Sequence, residues 1–162
     1  MLNIVSGDIL ETEIQYIAHQ CNCVSSSYSG LAYGIFTKYP YANIYEERSS
    51  GKYIHLPGDI HIRGDGNNNR YVINIMGQIY PGGPNKSGLL EVTDNANNRK
   101  KFFYDCLIDI AEIPGLVEIA FPYRIGCGLA GGNWEEYEEL LKKFAVYVEH
   151  KRKAEVYILK NG

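Results

Sequence analysis

Three short segments carry residue types that could bind or transform a ligand, and each directly follows a predicted strand. They read GDI at residues 7–9, HQCNC at residues 19–23, which includes the end of its strand, and RIGCGLAGGN at residues 124–133. In α/β proteins, ligands usually bind in the connections that leave the carboxyl ends of the strands. We therefore expect the three segments to meet at one site.

The third segment contains a G-x-G-x-x-G pattern formed by Gly126, Gly128 and Gly131. Glycines allow successive backbone N–H groups to converge on a phosphate, and a helix capped by Asn133 would add a favourable potential. Only one strand is predicted after this segment, so the second half of a dinucleotide-binding fold cannot follow it. The pattern predicts a phosphate-binding loop and disfavours NAD-linked redox chemistry. A flexible connector is the weaker interpretation.

The first segment offers the carboxylate of Asp8 and the amide of Ile9. A carboxylate here could accept a hydrogen bond from the amino group of a heterocycle, with the neighbouring amide donating beside it. The alternative is that Asp8 accepts from the backbone of its own turn, which is common for aspartate at such positions. Spacing alone favours the turn.

The second segment alternates along a predicted strand, so His19, Cys21 and Cys23 face one side while Gln20 and Asn22 face the other. The spacing is not that of a structural zinc site, and no metal is expected. His19 is either a hydrogen-bonded core histidine or an acid–base group, and the sequence leaves both interpretations open.

Composition limits the partners and the cellular setting. The chain has 162 residues with sixteen basic and nineteen acidic ones, for a net charge of −3, so direct binding of nucleic acid is not expected. No apolar run approaches the roughly 18 residues of a membrane helix. The four cysteines indicate reduced thiols. We expect a single soluble domain over residues 1–162, in the cytoplasm or the nucleus.

Strand-like and helix-like segments alternate along the chain, which is typical of a layered α/β domain. Strands are predicted at residues 2–5, 16–21, 59–63, 70–78, 116–121 and 155–159, and helices at 30–39, at 97–112 and after the cap at Asn133. A hairpin turn is predicted between the third and fourth strands. Residues 42–49 are predicted to form a further helical turn and residues 79–88 a loop.

Four motifs together resemble the macro domain family, which has a three-layer α/β/α fold with a central mixed sheet and binds ADP-ribose. They are IVSGDI at 4–9, HQCNC at 19–23, GLAY through KYP at 30–40 and PYRIGCGLAGGNW at 122–134. They occur in the family's order along nearly the whole chain. The second and third motifs are most similar to the branch that hydrolyses ADP-ribose 1″-phosphate.

The resemblance implies a role for each segment. Asp8 would accept from the adenine amino group, and the loop after the fifth strand would wrap the diphosphate. The implied ligand-binding residues are Asp8, Ile9, Asn22, Gly30, Leu31, Ala32, Ile125, Gly126, Cys127, Gly128 and Leu129. His19 would transfer a proton during phosphomonoester hydrolysis, and Asn22 would orient the phosphate or the attacking water. Neither a cofactor nor a metal is required.

The chain departs from the family pattern in two places. The glycine run before the first helix is reduced to SYSG at 27–30, which would crowd the distal ribose. Ala130 stands where an acidic residue follows GCGL in the branch that removes ADP-ribose from protein carboxylates, and Met76 and Gly77 stand near its lysine position. These substitutions argue against that lysine-dependent mechanism.

The expected function is therefore that of a monomeric phosphatase that converts ADP-ribose 1″-phosphate, a by-product of tRNA splicing, to ADP-ribose and phosphate. One alternative is a non-catalytic module that binds free or protein-linked ADP-ribose. Another is a hydrolase that removes ADP-ribose from modified macromolecules by a water-based route.

Overall fold

Six strands and three helices make up the regular structure of the chain. The computed structural model describes residues 2–48, 55–84 and 92–161. The strands are β1 Leu2–Ser6, β2 Tyr16–Cys21, β3 Ile60–Gly64, β4 Tyr71–Met76, β5 Glu118–Pro122 and β6 Glu155–Lys160. The helices are α1 Gly30–Lys38, α2 Ala96–Ala111 and α3 Trp134–Arg152, and two 3₁₀ turns lie at Pro40–Ala42 and Glu46–Arg48.

The strands form one mixed sheet in the order β1-β6-β5-β2-β4-β3. All neighbouring pairs are parallel except β3 and β4, which form the predicted antiparallel hairpin. Because β1, β6, β5, β2 and β4 are parallel, their carboxyl ends meet at the same edge of the sheet. The three segments that the sequence singled out all leave this edge.

Two apolar clusters, one on each face of the sheet, show that the fold has three layers. Helices α2 and α3 cover one face, with Phe103 and Leu141 among the buried residues. Helix α1 covers the other face, with Ile35 and Phe36 buried against the strands. The predicted three-layer α/β/α fold with a central mixed sheet is confirmed.

Several predicted boundaries move by a few residues. The predicted fourth strand ends at Met76 rather than residue 78, because the backbone turns at Gly77, whose amide donates to Ile75 O at 2.9 Å instead of to a neighbouring strand. The predicted turn at 42–49 is the pair of 3₁₀ turns, and its residue 49 lies outside the described residues. Residues 85–88 of the predicted loop lie outside them as well.

Asparagine side chains cap the N-termini of α2 and α3. Asn95 Oδ1 accepts from the Asn98 amide at 2.7 Å, and Asn133 Oδ1 accepts from the Glu136 amide at 3.3 Å. Each satisfies one of the amides that a helix N-terminus leaves without an acceptor. The predicted cap at Asn133 is confirmed. In the part of the chain that is described, no helix is long and apolar enough to span a membrane.

Candidate functional site

A cavity of about 630 Å³ opens at the carboxyl-terminal edge of the sheet. Its walls come from the connection between β2 and α1, from the loop after β4 and from the loop after β5. This volume lies within the range of small-molecule sites. The cavity is the place where two of the three predicted segments meet.

Most of the predicted ligand-binding residues line this cavity. Those that do are Asn22, Gly30, Leu31, Ala32, Ile125, Gly126, Gly128 and Leu129. Asp8, Ile9, Cys127 and His19 are not among its lining residues. Sequence reasoning missed the Gln20–Gln78 pair, Tyr45 and Arg124, which also line it.

The loop after β5 presents free backbone amides to the cavity. Within the described residues, the N–H groups of Gly126, Gly128, Leu129 and Ala130 have no acceptor. The amides of the other glycines in the loop are used internally, since Gly131 N donates to Gly128 O and Gly132 N to Gly126 O, each at 3.0 Å. Four adjacent or nearly adjacent free donors can converge on an anion.

Cys127 is not among the lining residues of the cavity, and its predicted contact with a ligand stays a prediction. Its amide donates to Arg124 O at 2.9 Å, and its buried thiol donates to Ile125 O at 3.4 Å. Both donors are therefore occupied, and burial raises the pKa of the thiol to about 11. The hydrogen bonds of this residue close the turn after β5.

Close packing requires glycine at residue 126 of this loop, whereas residue 128 has room for a side chain. Gly126 has a φ of +76°, and a Cβ there would lie 2.7 Å from the Tyr137 ring. Any side chain at this residue would be strained by its backbone and would clash with the ring. A Cβ at Gly128 would meet nothing within 4 Å, so the chain passes open space at this residue.

The N-terminus of α1 faces the same cavity without a side-chain cap. Ser29 is extended and makes no capping hydrogen bond, in contrast to the asparagines that begin α2 and α3. The first residues of the helix, from Gly30 to Ala32, line the cavity. The N–H groups and the partial positive charge of this helix end are available to an anion.

Tyr28 occupies the place where the sequence departs from the usual glycine run. Its ring contacts Tyr33 at 5.9 Å and Phe36 at 5.5 Å between centroids, so it rests on α1. Residues 27–30 all line the cavity. The predicted narrowing at this end therefore involves a tyrosine ring that is supported by the helix.

Asn22 is held rigidly at the wall of the cavity. Its side-chain Oδ1 accepts from the backbone amides of Val24 at 3.1 Å and Ser25 at 2.8 Å. The backbone N–H of Asn22 itself donates to the Tyr45 hydroxyl at 2.9 Å. Because Oδ1 is occupied, Nδ2 is the side-chain group that can donate to a ligand.

Arg48 holds the backbone of this wall in place, and no pattern in the sequence indicated that this residue has such a role. The buried guanidinium donates to the carbonyls of Asn22 at 2.5 Å and Ser25 at 3.0 Å, and it lies 4.5 Å from the Tyr45 ring centroid. Its Nε donates to His55 Nδ1 at 2.8 Å. A buried cation is stable only when its donors are satisfied, and here the carbonyls of Asn22 and Ser25 and the His55 ring accept its hydrogen bonds.

A buried ion pair joins α2 to the two loops on the other side of the cavity. Asp94 and Arg99 form a bidentate pair, with Nε to Oδ1 at 2.9 Å and Nη2 to Oδ2 at 2.7 Å. Asp94 is fully buried and Arg99 is 2% exposed. The carboxylate also accepts from the amides of Ile79 at 3.1 Å and Tyr80 at 2.9 Å.

The remaining donors of Arg99 all go to backbone carbonyls of the cavity loops. They reach Tyr80, Gly82 and Gly83 in the loop after β4, at 3.1, 2.7 and 3.1 Å, and Ala130 in the glycine loop at 3.1 Å. One side chain therefore sets the distance between the two loops. Burial alone would raise the pKa of Asp94, but its hydrogen bonds from Arg99, Tyr80 and Ile79 hold it below its ordinary value.

Two glutamines lie between these loops and the sheet. Gln20 Nε2 donates to Gln78 Oε1 at 2.7 Å, and Gln78 Nε2 donates to Tyr80 O at 2.9 Å. Gln20 Oε1 lies close to Gly126: a Cβ added to that glycine would be 3.0 Å from the oxygen. The pair supports the glycine loop from the carboxyl ends of β2 and β4.

His19 is buried outside the lining of the cavity, and its predicted catalytic role stays a prediction. The ring is 1% exposed, and its Nε2 lies 2.6 Å from Asn74 Oδ1. Asn74 Nδ2 donates to the carbonyls of Ala42 and His61, so Oδ1 must accept and His19 Nε2 carries the hydrogen. Of the two interpretations that the sequence left open, the structure favours a hydrogen-bonded core histidine.

The environment of His19 also removes it from neutral-pH acid–base chemistry. Burial lowers its pKa to about 4, against a smaller opposing effect of the hydrogen bond to Asn74. Its ring packs edge-on to Phe36 with centroids 5.3 Å apart. At pH 7 the imidazole is neutral and enclosed, and it joins β2 to β4.

Asp8 lies in a turn beyond the lining of the cavity. Its Oδ1 accepts from the Leu10 amide at 2.9 Å, which is the Asx turn that spacing favoured. Ile9 is buried, and its amide has no acceptor among the described residues. Since one carboxylate oxygen is left by the turn, binding a heterocycle at Asp8 stays a prediction.

The residues known to line the cavity carry little charge. The described lining contains tyrosines and amides, but no carboxylate, imidazole, thiol or amine, and its one charged side chain is that of Arg124. Such a surface can bind an anion through N–H groups. It offers no group whose ordinary pKa lies near 7.

The Asp94–Arg99 pair gives a prediction for stability. Arg99→Met leaves the Asp94 carboxylate buried without its cation, and we expect it to lower the free energy of unfolding by about 3–5 kcal/mol. Lys100→Met is the matched control: Lys100 is partly exposed and pairs with Glu136 at the surface, so the loss should stay below about 1 kcal/mol. Urea denaturation measures both. Equal losses would contradict the role given to Arg99.

His19 gives a prediction for pH dependence. Its folded pKa of about 4 lies below the ordinary 6.5, so the folded protein binds fewer protons and stability falls as the pH drops from 6.5 to 4. This one residue should contribute a loss of about 3 kcal/mol across that interval. His19→Gln keeps a donor for Asn74 without a titrating ring. Urea titrations should show a shallower pH dependence for the variant, and parallel curves would refute the assignment.

Comparison with known proteins extends the structural description. No family model and no curated protein matches the sequence. Among solved structures, the macrodomain of Mycobacterium tuberculosis DarG is 21% identical with a TM-score of 0.71, over 99% of this chain and 97% of that one. Thermosipho africanus DarTG, solved in complex with ADP-ribose, is 18% identical with a TM-score of 0.69, over 98% of this chain and 41% of that one.

A third similar structure is the Trypanosoma brucei macrodomain, also solved in complex with ADP-ribose. It is 14% identical with a TM-score of 0.66, over 99% of this chain and 63% of that one. Identities this low establish architecture rather than activity. The six-stranded mixed sheet between its helical layers and these likenesses together show that the chain has the macrodomain fold.

Proposed function

We propose that the cavity binds ADP-ribose, either free or attached to another molecule. The observation that carries this proposal is the pair of N–H donor sets across one cavity. The amides of residues 126 and 128–130 form one set, and the uncapped N-terminus of α1 forms the other. Both sets suit the negative charge of a diphosphate.

The net charge of the protein makes local donors necessary. A chain with a net charge of −3 has no overall attraction for an anionic ligand. Fixed backbone N–H groups can still bind a diphosphate, because their orientation is set by the fold before the ligand arrives. The absence of carboxylates from the described lining removes the repulsion that would oppose it.

The order of strands supports one orientation of the ligand. The turn at Asp8 follows β1, the glycine loop follows β5, and the connection to α1 follows β2. A ligand with its diphosphate at the glycine loop would place adenine toward Asp8 and the distal ribose toward Asn22 and Tyr28. Two solved structures with this fold were obtained in complex with ADP-ribose.

Binding without turnover is the function that the described lining supports best. Proton transfer at neutral pH needs a group with a suitable pKa within reach of the ligand. The described lining has no carboxylate, imidazole, thiol or amine, and His19 is enclosed on the α1 side of the sheet.

Calorimetry of ADP-ribose with Gly128 variants tests the binding proposal. Gly128→Glu adds a carboxylate in open space beside the free amides, and we expect it to weaken binding by about tenfold or more, because like charges then meet at the diphosphate. Gly128→Gln adds similar bulk without charge and should retain more of the affinity. Absence of heat with the wild-type protein, or equal losses in the two variants, would overturn the proposal.

An Asp8 variant tests the adenine end in the same experiment. Asp8→Asn keeps an oxygen for the Leu10 amide, so the Asx turn survives, while its NH₂ group cannot accept from an adenine amino group. We expect weaker binding of ADP-ribose with an unchanged melting temperature. If affinity is unaltered, adenine does not lie at Asp8.

A second candidate function is hydrolysis of ADP-ribose 1″-phosphate to ADP-ribose and phosphate. The observation that favours it is the position of Asn22, whose free Nδ2 lies in the same lining as the open N-terminus of α1. Backbone amides there could stabilise charge on a transferring phosphoryl group, and Asn22 could orient the attacking water. Such a route would proceed without an acid–base side chain.

Release of inorganic phosphate tests this second candidate. If the route operates, Asn22→Ala should lower the rate constant, whereas His19→Gln should retain turnover at pH 7.5 because the ring does not touch the cavity. The melting temperature of each variant controls for folding. Loss of turnover in a folded His19→Gln variant would restore the histidine mechanism. No phosphate release from wild type, with ADP-ribose still bound, would leave the binding function alone.

A further inference from the structure

Two exposed cations, Arg124 and Lys160, lie at the carboxyl-terminal edge of the sheet, one next to Tyr123 in the chain and the other against its ring. Arg124 is exposed and lines the cavity, and its guanidinium has no ion-pair partner among the described residues. Lys160 is also exposed; it is not itself a lining residue, but its Nζ lies 4.7 Å from the centroid of the ring of Tyr123, which is one. The diphosphate already has backbone donors, so these two charges are left for another anionic group.

The sheet fixes where these cations lie along the edge. Tyr123 N donates to Leu159 O at 3.0 Å, and Gly7 N donates to Lys160 O at 3.1 Å. The loop after β5, the end of β6 and the turn at Asp8 are therefore consecutive neighbours. In the orientation proposed above, the adenosine ribose would lie between adenine at Asp8 and the diphosphate at the glycine loop, beside Arg124 and Lys160.

We propose that the ligand carries a phosphate ester on its adenosine ribose, and that Arg124 and Lys160 bind this phosphate. The inference rests on the proposed function, because it uses the orientation of ADP-ribose. Arginine suits this role, since its planar guanidinium can donate two parallel hydrogen bonds to phosphate oxygens. An arginine beside the ribose is also how dinucleotide sites accommodate a 2′-phosphate.

The anchoring of Arg124 supports a positioning role for its backbone. The residue has a φ of +63°, and its carbonyl accepts from the Cys127 amide at 2.9 Å. The tight turn that forms the glycine loop therefore also sets the origin of the Arg124 side chain. Formation of the diphosphate site and placement of this cation are consequences of the same turn.

Competitive calorimetry with ADP-ribose and ADP-ribose 2′-phosphate tests the inference. At low salt, we expect the 2′-phosphate to bind about tenfold more tightly than ADP-ribose, as one added charge-assisted contact would give. Raising the salt should reduce this ratio, because the two cations are exposed. ADP-ribose 1″-phosphate is the third probe, since its added phosphate lies at the other end of the ligand.

Variants assign the effect to the two cations. Arg124→Gln and Lys160→Gln should each bring the ratio of the two affinities closer to one, and Arg124→Lys should retain part of it. Lys153→Gln is the matched control: Lys153 is an exposed cation with a φ of +56° at the end of α3, just before β6 begins and therefore at the opposite edge of the sheet. It should keep the wild-type ratio.

Each outcome separates this inference from the function on which it rests. If ADP-ribose binds and the 2′-phosphate binds no more tightly, the inference is wrong and the proposed function stands. If Arg124→Gln weakens the 1″-phosphate selectively, the cation faces the distal end and the inference is also wrong. If neither ligand binds, both fail. Lys153→Gln and Arg124→Gln could also reduce the ratio of the two affinities equally. That result would assign the effect to net charge and would contradict a phosphate site at Arg124 and Lys160.

Discussion

The buried ion pair between Asp94 and Arg99 is the interaction on which the cavity depends. Two charges removed from water are stable only when their hydrogen bonds are nearly complete, and here both carboxylate oxygens and all three guanidinium nitrogens are engaged. Four of these bonds go to carbonyls of the loops after β4 and β5. The requirement to satisfy the charges therefore fixes the positions of the loops that form one wall.

The opposite wall uses the same principle with a single charge. Arg48 is buried beneath the HQCNC segment, and the carbonyls of Asn22 and Ser25 accept its hydrogen bonds. Consequently, two arginines hold the loops in place while the free backbone amides and the end of α1 are left to face the cavity. Side chains supply the rigidity, and the backbone supplies the donors. This division explains how a chain with a net charge of −3 can present a site for an anion.

Local patterns in the sequence predicted the elements and the glycine loop, because strand alternation, helical spacing, capping and glycine conformation depend on near neighbours. The Asn133 cap and the hairpin before β4 are of this kind. The enclosure of His19 depends on Asn74 and Phe36, which are distant in sequence, so spacing left its role open. The same holds for Arg48 and for the Gln20–Gln78 pair. The hydrogen bond from the Cys127 amide to Arg124 O, which closes the turn after β5, could not be read from the glycine pattern either.

The central claim is that free backbone amides of the glycine loop and of α1 bind the diphosphate. Its most direct test is an amide-resolved NMR titration with ADP-ribose. We expect large shifts for the amides of Gly126, Gly128, Leu129 and Ala130 and for the first turn of α1. Smaller shifts are expected for Cys127, Gly131 and Gly132, whose hydrogen bonds are already made. Saturation with shifts confined to another surface, or no shifts at all, would contradict it.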